Sequence, residues 1–298
     1  MQVLVFGAGA MGSFFGGLLS KHHDVVLIGR PDHVKAIRAH GLRISGKTSM
    51  IARPEAATTV PPSARPEFVF VTTKAYDTAN AMRALETFSD RSIFVTLQNG
   101  LGNAETIAKS ARRVIAGTTT IGVMFVAPGE VRHGGIGDAV IGEWSHVDER
   151  DLVRLRDLLA DAGIVVSLTS DIRSELWSKL VVNAAINPLA AIAGVPNGRL
   201  VRDKRLSGVM DAVGREAIAV AKAEGAKLDV EELRHRIALV ARRTAANRGS
   251  MLQDLDRHRR TEVDAIVGPI IKGAARHRIP APLSQALYAI VRAKEAAA

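Results

Sequence analysis

The sequence predicts an α/β N-terminal domain built on a mostly parallel, doubly wound sheet, followed by an all-α C-terminal domain. Three observations carry this. Apolar runs of strand length alternate with helix-like segments through the first half, a glycine-rich turn joins the first run to the first helix, and nothing beyond residue 168 reads as a strand. Such alternation is the pattern of βαβ units. The boundary is therefore set at residue 168, giving domains of 1–168 and 169–298. A chain of 298 residues is long enough for two hydrophobic cores.

Gln2 to Phe6 reads as a short buried strand, followed by Gly7-Ala8-Gly9-Ala10-Met11-Gly12, a helix to about Lys21, and a second strand, Asp24 to Ile28. This is G-x-G-x-x-G in the setting it needs, the signature of a Rossmann-type dinucleotide site. Gly7 allows the tight turn, Gly9 the close approach of a pyrophosphate, and Gly12 tight packing of the helix on the sheet. The phosphates would sit at the helix N-terminus. An NAD site places Asp or Glu after the second strand, whereas here Ile28 is followed by Gly29-Arg30. A guanidinium pairs with a 2′-phosphate that a carboxylate would repel, so NADPH is the expected cofactor. The competing reading of Arg30 is an exposed loop arginine.

A helix is expected over Asp32 to His40, then irregular strand pieces, and a loop at Pro61-Pro62 and Pro66. Phe68 to Thr73 is a buried parallel strand ending at Lys74. After a helix from Thr78 to Phe88, Ser92 to Leu97 is another strand, ending at Gln98-Asn99-Gly100. Ligands of open α/β sheets bind beyond the carboxyl ends of the strands, which makes Lys74 and Asn99 candidates for contact with cofactor or substrate. Against this stand a solvated lysine and an Asn-Gly turn. Val114 to Gly117 is a short strand, residues 122–142 suggest antiparallel strands closing the first domain, Asp148 to Ala162 is helical, and Val165 to Ser167 is the last strand.

The second half opens on Ser174 to Pro188, where an otherwise apolar run carries Lys179, Asn183 and Asn187. At i, i+4 and i+8 these lie within about 80° of one another on a helix, a single polar stripe. Surface helices usually show a wider and more varied polar face. Facing a ligand, the stripe offers one cation and two amides to oxygen atoms. Further helices are expected over Asp203 to Glu224, Val230 to Ala245, Met251 to Ala275 and Leu283 to Lys294.

Composition narrows the chemistry. A 47% hydrophobic and 23% charged chain is an ordinary globular protein. The absence of cysteine excludes disulfides, thiolate catalysis and cysteine metal sites. The first strand begins at Val3, so no signal peptide is expected. No uninterrupted apolar run approaches the roughly 20 residues of a membrane span, so a cytoplasmic protein without a membrane partner is expected. The 9 histidines form no H-x3-H or H-E-x-x-H pair and no metal is expected. The net charge of +10 is scattered apart from Arg257-His258-Arg259-Arg260, and aromatics are only 4%. This favours attraction of small anions over nucleic-acid binding. Monomer and homodimer are both compatible with the sequence.

A nicotinamide cofactor transfers hydride, and reduction of a ketone then requires an acid near the developing alkoxide. With no zinc site and no Ser-Tyr-Lys arrangement, Lys179 is the candidate donor, with Asn183 and Asn187 to hold substrate oxygens. Burial would lower its pKa toward the useful range.

The motifs G-A-G-A-M-G at the N-terminus, T-K-A-Y-D-T, Q-N-G-L-G at 98–102, G-T-T-T at 117–120, E-L-W-x-K-L-x-x-N-x-x-I-N-P-L, S-M-L-Q-D and T-E-V-D occur in one order along the whole chain. Together they resemble the ketopantoate reductases (2-dehydropantoate 2-reductases). The resemblance implies NADPH-dependent reduction of 2-dehydropantoate to (R)-pantoate on the way to pantothenate and coenzyme A. It implies that Lys179 is the proton donor and that Glu262 is the carboxylate that binds substrate and arranges the acid. Asn183, Asn187 and Ser250 match substrate-holding residues, Asn99 and Lys74 match residues bridging cofactor and substrate, and Arg30 matches the 2′-phosphate contact. On a single straight helix Ser250 and Glu262 would point about 120° apart. The alternatives are a related reductase of another 2-oxo acid and a non-catalytic NADPH-binding sensor.

Overall fold

The computed structural model describes residues 1–297; residue 298, the last of the expected helical domain, lies outside the described residues. The chain divides into two compact units, Met1–Gln98 with Gly102–Ile172, and Asn99–Leu101 with Arg173–Ala298.

The first unit runs β1 (Gln2–Phe6), α1 (Ala10–Leu19), β2 (Asp24–Ile28), α2 (Pro31–His40), β3 (Leu42–Gly46), β4 (Met50–Ala52), β5 (Glu55–Ala57), β6 (Phe68–Val71), α3 (Thr78–Ala84), β7 (Ile93–Thr96), α4 (Asn103–Ala108), β8 (Arg113–Thr119), β9 (Gly122–Ala127), β10 (Glu130–Gly135), β11 (Asp138–Ser145), α5 (Glu149–Asp161) and β12 (Val165–Leu168). The eight-stranded main sheet has the order β12-β11-β8-β7-β6-β1-β2-β5. All neighbours are parallel except β11 against β8.

Strand alternation builds two cores, one on each face. Val3, Val5, Val25, Leu27, Phe68, Phe70, Ile93 and Val95 join Phe14, Phe15, Leu18 and Leu19 of α1 and Leu155, Leu158 and Leu159 of α5. Leu4, Val26, Val69, Val71 and Phe94 face the other way, onto Ala81, Met82, Leu85, Phe88 and Ile107. Side chains of period 2 must divide like this, and a parallel sheet needs both faces covered. The strand order reverses at β1 and β6, so the topological switch point lies at their carboxyl ends.

Two expectations need correction here. The strands over 122–142 do not all close the main sheet. β9 and β10 leave it for a four-stranded sheet of order β4-β3-β10-β9, and only β11 returns. That smaller sheet covers α1 on one face (Leu42, Ile44 and Val131 belong to the same core as Phe14) and leaves Ile51, Met124 and Val126 exposed. The expected helix from Thr78 to Phe88 ends at Ala84 and continues as a short 3-10 turn, Glu86–Phe88. This puts both Leu85 and Phe88 in the core.

The second unit is helical: α6 (Ile172–Ala193), α7 (Asn197–Arg202), α8 (Lys204–Ala223), α9 (Val230–Arg243), α10 (Ser250–Asp256), α11 (Val263–Ile266), α12 (Gly268–His277) and α13 (Pro282–Ala296). Helix α6 is long and apolar enough to cross a membrane. Instead its apolar sides form the centre of the core, packed against Val213, Ala217, Ile237, Val263, Ile270 and Val291 among others. A helix that is apolar nearly all round needs such burial. Pro188 lies inside it, removing one backbone donor, yet the helix continues for five more residues to Ala193. The expected helix from Met251 to Ala275 is three helices. Residues 257–260 bring no apolar side chain to the core, and His258 takes a positive φ of 52° that ends regular helix.

Candidate active site

In the first unit the site begins at the glycine loop. Gly7 has φ +113°, and a Cβ there would stand 2.7 Å from the Thr73 backbone nitrogen, so only glycine fits. The Gly7 and Ala8 N–H groups both donate to the Ile28 carbonyl, at 3.1 and 2.8 Å, fastening the loop to the end of β2. The Thr72 hydroxyl donates to the Gly7 carbonyl at 2.9 Å. A Cβ on Gly12 would lie 2.2 Å from that carbonyl and 2.4 Å from the same hydroxyl. Gly9 differs: a Cβ there would meet nothing within 4 Å. The fold itself does not need that glycine, and the open space before it is what a pyrophosphate cradle requires. Helix α1 starts at Gly9 with no side-chain cap and no acidic residue in its first turn. The amides of Ala10, Met11 and Gly12 thus form an uncapped, positively polarised end suited to phosphate. These residues fit a dinucleotide.

Arg30 follows β2 and is exposed, at the N-cap position of α2. Gly29 lets it approach the loop, since a Cβ on Gly29 would stand 2.7 Å from the Ala8 Cβ. Behind it His33 is buried, accepting from the Gly129 N–H at 2.8 Å and hydrogen-bonded to Ser13 at 2.9 Å. With Nδ1 accepting, the proton sits on Nε2, and burial lowers the pKa of this neutral ring. Lys74 caps the turn after β6 and is half-buried. The Gln98 amide ties the ends of β6 and β7 together, donating to the Thr73 carbonyl at 2.7 Å and the Thr78 hydroxyl at 2.9 Å.

In the second unit the stripe of α6 is a physical feature. From Trp177 to Ala191 every residue is buried except Lys179, Asn183 and Asn187, which are part-exposed. Burial pushes the Lys179 ammonium down to about 8, while the Glu262 carboxylate opposes the shift. Glu262 is buried and stands at the N-cap position of the four-residue helix α11. Asn99 joins this unit: the next two residues lie on α11, where Leu101 N–H donates to the Ala265 carbonyl at 3.0 Å and Gly100 has φ +83°. The Asn-Gly pair is therefore a positive-φ turn, and the same turn holds Asn99 beside the helix that Glu262 opens.

Ser250 is exposed at the start of α10. Its neighbour Gly249 would place a Cβ 3.6 Å from Asn197 Oδ1 and 3.7 Å from Asn187 Oδ1. The loop after α10 removes the helical constraint, so Ser250 and Glu262 belong to different helices. Asn197 was not among the sequence candidates. Its amide nitrogen donates to the Thr244 hydroxyl at 2.9 Å, while its oxygen is buried and unpaired among the described residues. A buried acceptor without a protein donor is costly, which makes Asn197 a further candidate for contact with a ligand or an ordered water. In sequence it follows Pro196, where an Asn-Gly pair reads as a turn, and no periodicity singles it out.

The glycine loop, Arg30 and Lys74 thus belong to the first unit. The lysine, amides, serine and buried carboxylate belong to the second. The first set is suited to a dinucleotide, the second to an acid facing a polar, oxygen-rich substrate.

The sequence profile "Ketopantoate reductase PanE/ApbA" matches residues 3–146, and "Ketopantoate reductase PanE/ApbA C terminal" matches residues 171–295. The 2-dehydropantoate 2-reductase of Pyrococcus horikoshii is 36% identical over 99% of this chain and 98% of its own. A PanE/ApbA family ketopantoate reductase from Ralstonia eutropha is 35% identical, with a TM-score of 0.92 over 100% of this chain and 99% of that one. D-mandelate dehydrogenase, in a ternary structure with NADH and anilino(oxo)acetate, is 26% identical with a TM-score of 0.94 over 100% of this chain and 99% of its own.

Proposed function

The chain belongs to the ketopantoate reductase family, and from that premise we propose that it reduces 2-dehydropantoate to (R)-pantoate with NADPH, in the cytoplasm. The observation that carries the reading is Lys179, an ammonium whose pKa burial lowers to about 8 beside the Glu262 carboxylate. NADPH, when bound, supplies the hydride to the carbonyl carbon. Residues 1–168 hold it: the amides of Ala10, Met11 and Gly12 take the phosphates, Gly7 makes the tight turn, Gly9 gives room, Arg30 pairs with the 2′-phosphate, and Lys74 and Asn99 reach toward the reacting end.

Residues 169–298 hold the oxo acid. Lys179 gives its proton to the carbonyl oxygen as negative charge develops there, leaving a neutral amine that water reprotonates. Glu262 keeps that lysine charged and accepts a hydrogen bond from the substrate hydroxyl. Asn183, Asn187 and Ser250 bind the hydroxyl and carboxylate oxygens, and the unpaired oxygen of Asn197 joins them as an acceptor. The test is NADPH oxidation with 2-dehydropantoate, with NADH in parallel. Lys179→Ala should lower kcat by about 10²–10⁴ while NADPH still binds; unchanged turnover would remove this mechanism.

The likeness to D-mandelate dehydrogenase supports a second reading, reduction of another 2-oxo acid with NADH. Arg30 speaks for NADPH, because the two residues directly after β2 are Gly29 and Arg30, where an NAD site places a carboxylate for the ribose 2′-hydroxyl. Comparing kcat/KM over a panel of aliphatic and aromatic oxo acids separates the two.

A further inference from the structure

Helix α13 presents one face to the short segment that carries Glu262. Tyr288, Arg292 and Glu295 stand at i, i+4 and i+7 and share a side of the helix. Glu295 Oε1 accepts the backbone N–H of Thr261 at 2.6 Å, and Glu295 Oε2 accepts from Arg292 at 2.6 Å. The Tyr288 hydroxyl donates to Asp264 Oδ1 at 2.7 Å, and Arg292 lies 3.8 Å from Oδ2 of the same carboxylate. Glu262 is therefore bracketed: the residue before it and the residue two after it are both fastened to α13.

The bond to Thr261 is the one that reaches the backbone. Thr261 is 1% exposed and the Glu295 side chain 7%, so this carboxylate meets a buried donor out of water. A charge-assisted hydrogen bond of this kind is stronger than a neutral one, whereas the ion pair of Glu295 with exposed Arg292 adds little. Downstream, the Glu262 carbonyl accepts from the Ala265 and Ile266 N–H groups, both at 3.0 Å, which ties Glu262 to α11. Glu262 lies outside the helical region at φ −98° and ψ 26°, and α11 has only four residues, too few to hold direction alone. On its own side Thr261 adds one further bond, its hydroxyl accepting from the Val263 N–H at 3.1 Å.

We infer that Glu295 is a positioning residue for Glu262: by holding the Thr261 N–H, it sets the backbone from which the Glu262 carboxylate is presented to Lys179. The inference rests on the proposed role of Glu262, and the two fail separately.

The experiment compares full-length Glu295→Ala, Glu295→Gln, Glu262→Ala and the double variant Glu262→Ala/Glu295→Ala, reading kcat and KM for NADPH and for 2-dehydropantoate. Misplacement of a catalytic group by a fraction of an ångström predicts that Glu295→Ala lowers kcat on the order of tenfold to a hundredfold with the KM for NADPH unchanged. Glu295→Gln keeps an oxygen acceptor for Thr261 and should recover most of the rate. Because Glu295 acts through Glu262, the double variant should be no slower than Glu262→Ala. Losses that multiply in the double variant, or a Gln variant as slow as Ala, overturn the inference. Wild-type kcat in Glu262→Ala overturns the reading of Glu262 instead. A slow Glu262→Ala beside an unimpaired Glu295→Ala overturns the positioning role alone. Glu295→Asp withdraws the acceptor by one methylene while keeping its charge, and carries the same test if the alanine variant does not fold: wild-type kcat there overturns the positioning role.

Discussion

With Lys179 as the proposed acid, the rate of reduction should depend on pH in a range where an ordinary lysine would leave it flat. Desolvation lowers its pKa from 10.5 to about 8, and Glu262 raises it against that trend. The change of about 2.5 units corresponds to roughly 3 kcal/mol disfavouring the ammonium. The protonated form is the acid, so the rate is full below the pKa and falls as pH rises through it. At a pKa of about 8, roughly nine-tenths of the lysine is protonated at pH 7 and roughly one-tenth at pH 9. The measurement is kcat/KM for the oxo acid from initial rates of NADPH oxidation across pH 6 to 10, which reports the acid in the free enzyme. The expected curve is level to about pH 7 and then loses close to tenfold per unit above about pH 8. Glu262→Gln removes the influence that holds the pKa up, so its midpoint should move to lower pH. A wild-type profile that stays level to pH 10, or identical midpoints in the two proteins, would refute the reasoning.

Gly12→Ala places a methyl against the Gly7 carbonyl and the Thr72 hydroxyl, at 2.2 and 2.4 Å, and should abolish measurable NADPH binding in calorimetry. Arg30→Ala should weaken NADPH on the order of tenfold or more and leave NADH nearly unchanged; equal losses would return Arg30 to the surface. His33 has a lowered pKa because it is buried. The unfolded chain therefore binds the extra proton first as pH falls, and the stability His33 confers is complete above its ordinary value of 6.5 and is lost below it as pH falls toward the folded pKa. Urea unfolding at about pH 7.5 and about pH 5 should show a smaller decline for His33→Gln than for the wild type.

What could be read from the sequence was what is encoded locally. The alternation of Val3, Leu4 and Val5, one side to each core, and the glycine turn after Phe6 depend on neighbours a few residues away. The same holds for the stripe of Lys179, Asn183 and Asn187, whose spacing is a property of one helix. The family resemblance extended this to Glu262 and Ser250, which no local pattern marks.

The rest was decided by contacts between distant parts of the chain. Residues 122–135 read as strands, but within them Glu130 to His133 pair with Arg43 to Gly46, some ninety positions earlier, and that pairing joins β9 and β10 to β3 and β4 in the second sheet. The break after Asp256 puts Glu262 and Ser250 on separate helices. Asn99 is an ordinary turn residue until the Ala265 carbonyl accepts from Leu101, and Asn197 becomes a candidate only when burial leaves its oxygen without a donor. Sequence alone determined the elements, the chemistry of the glycine loop and the presence of a lysine in an apolar helix. Tertiary structure decided that this lysine is desolvated beside a carboxylate, because the energy of a charge depends on what surrounds it, and its surroundings come from the whole chain.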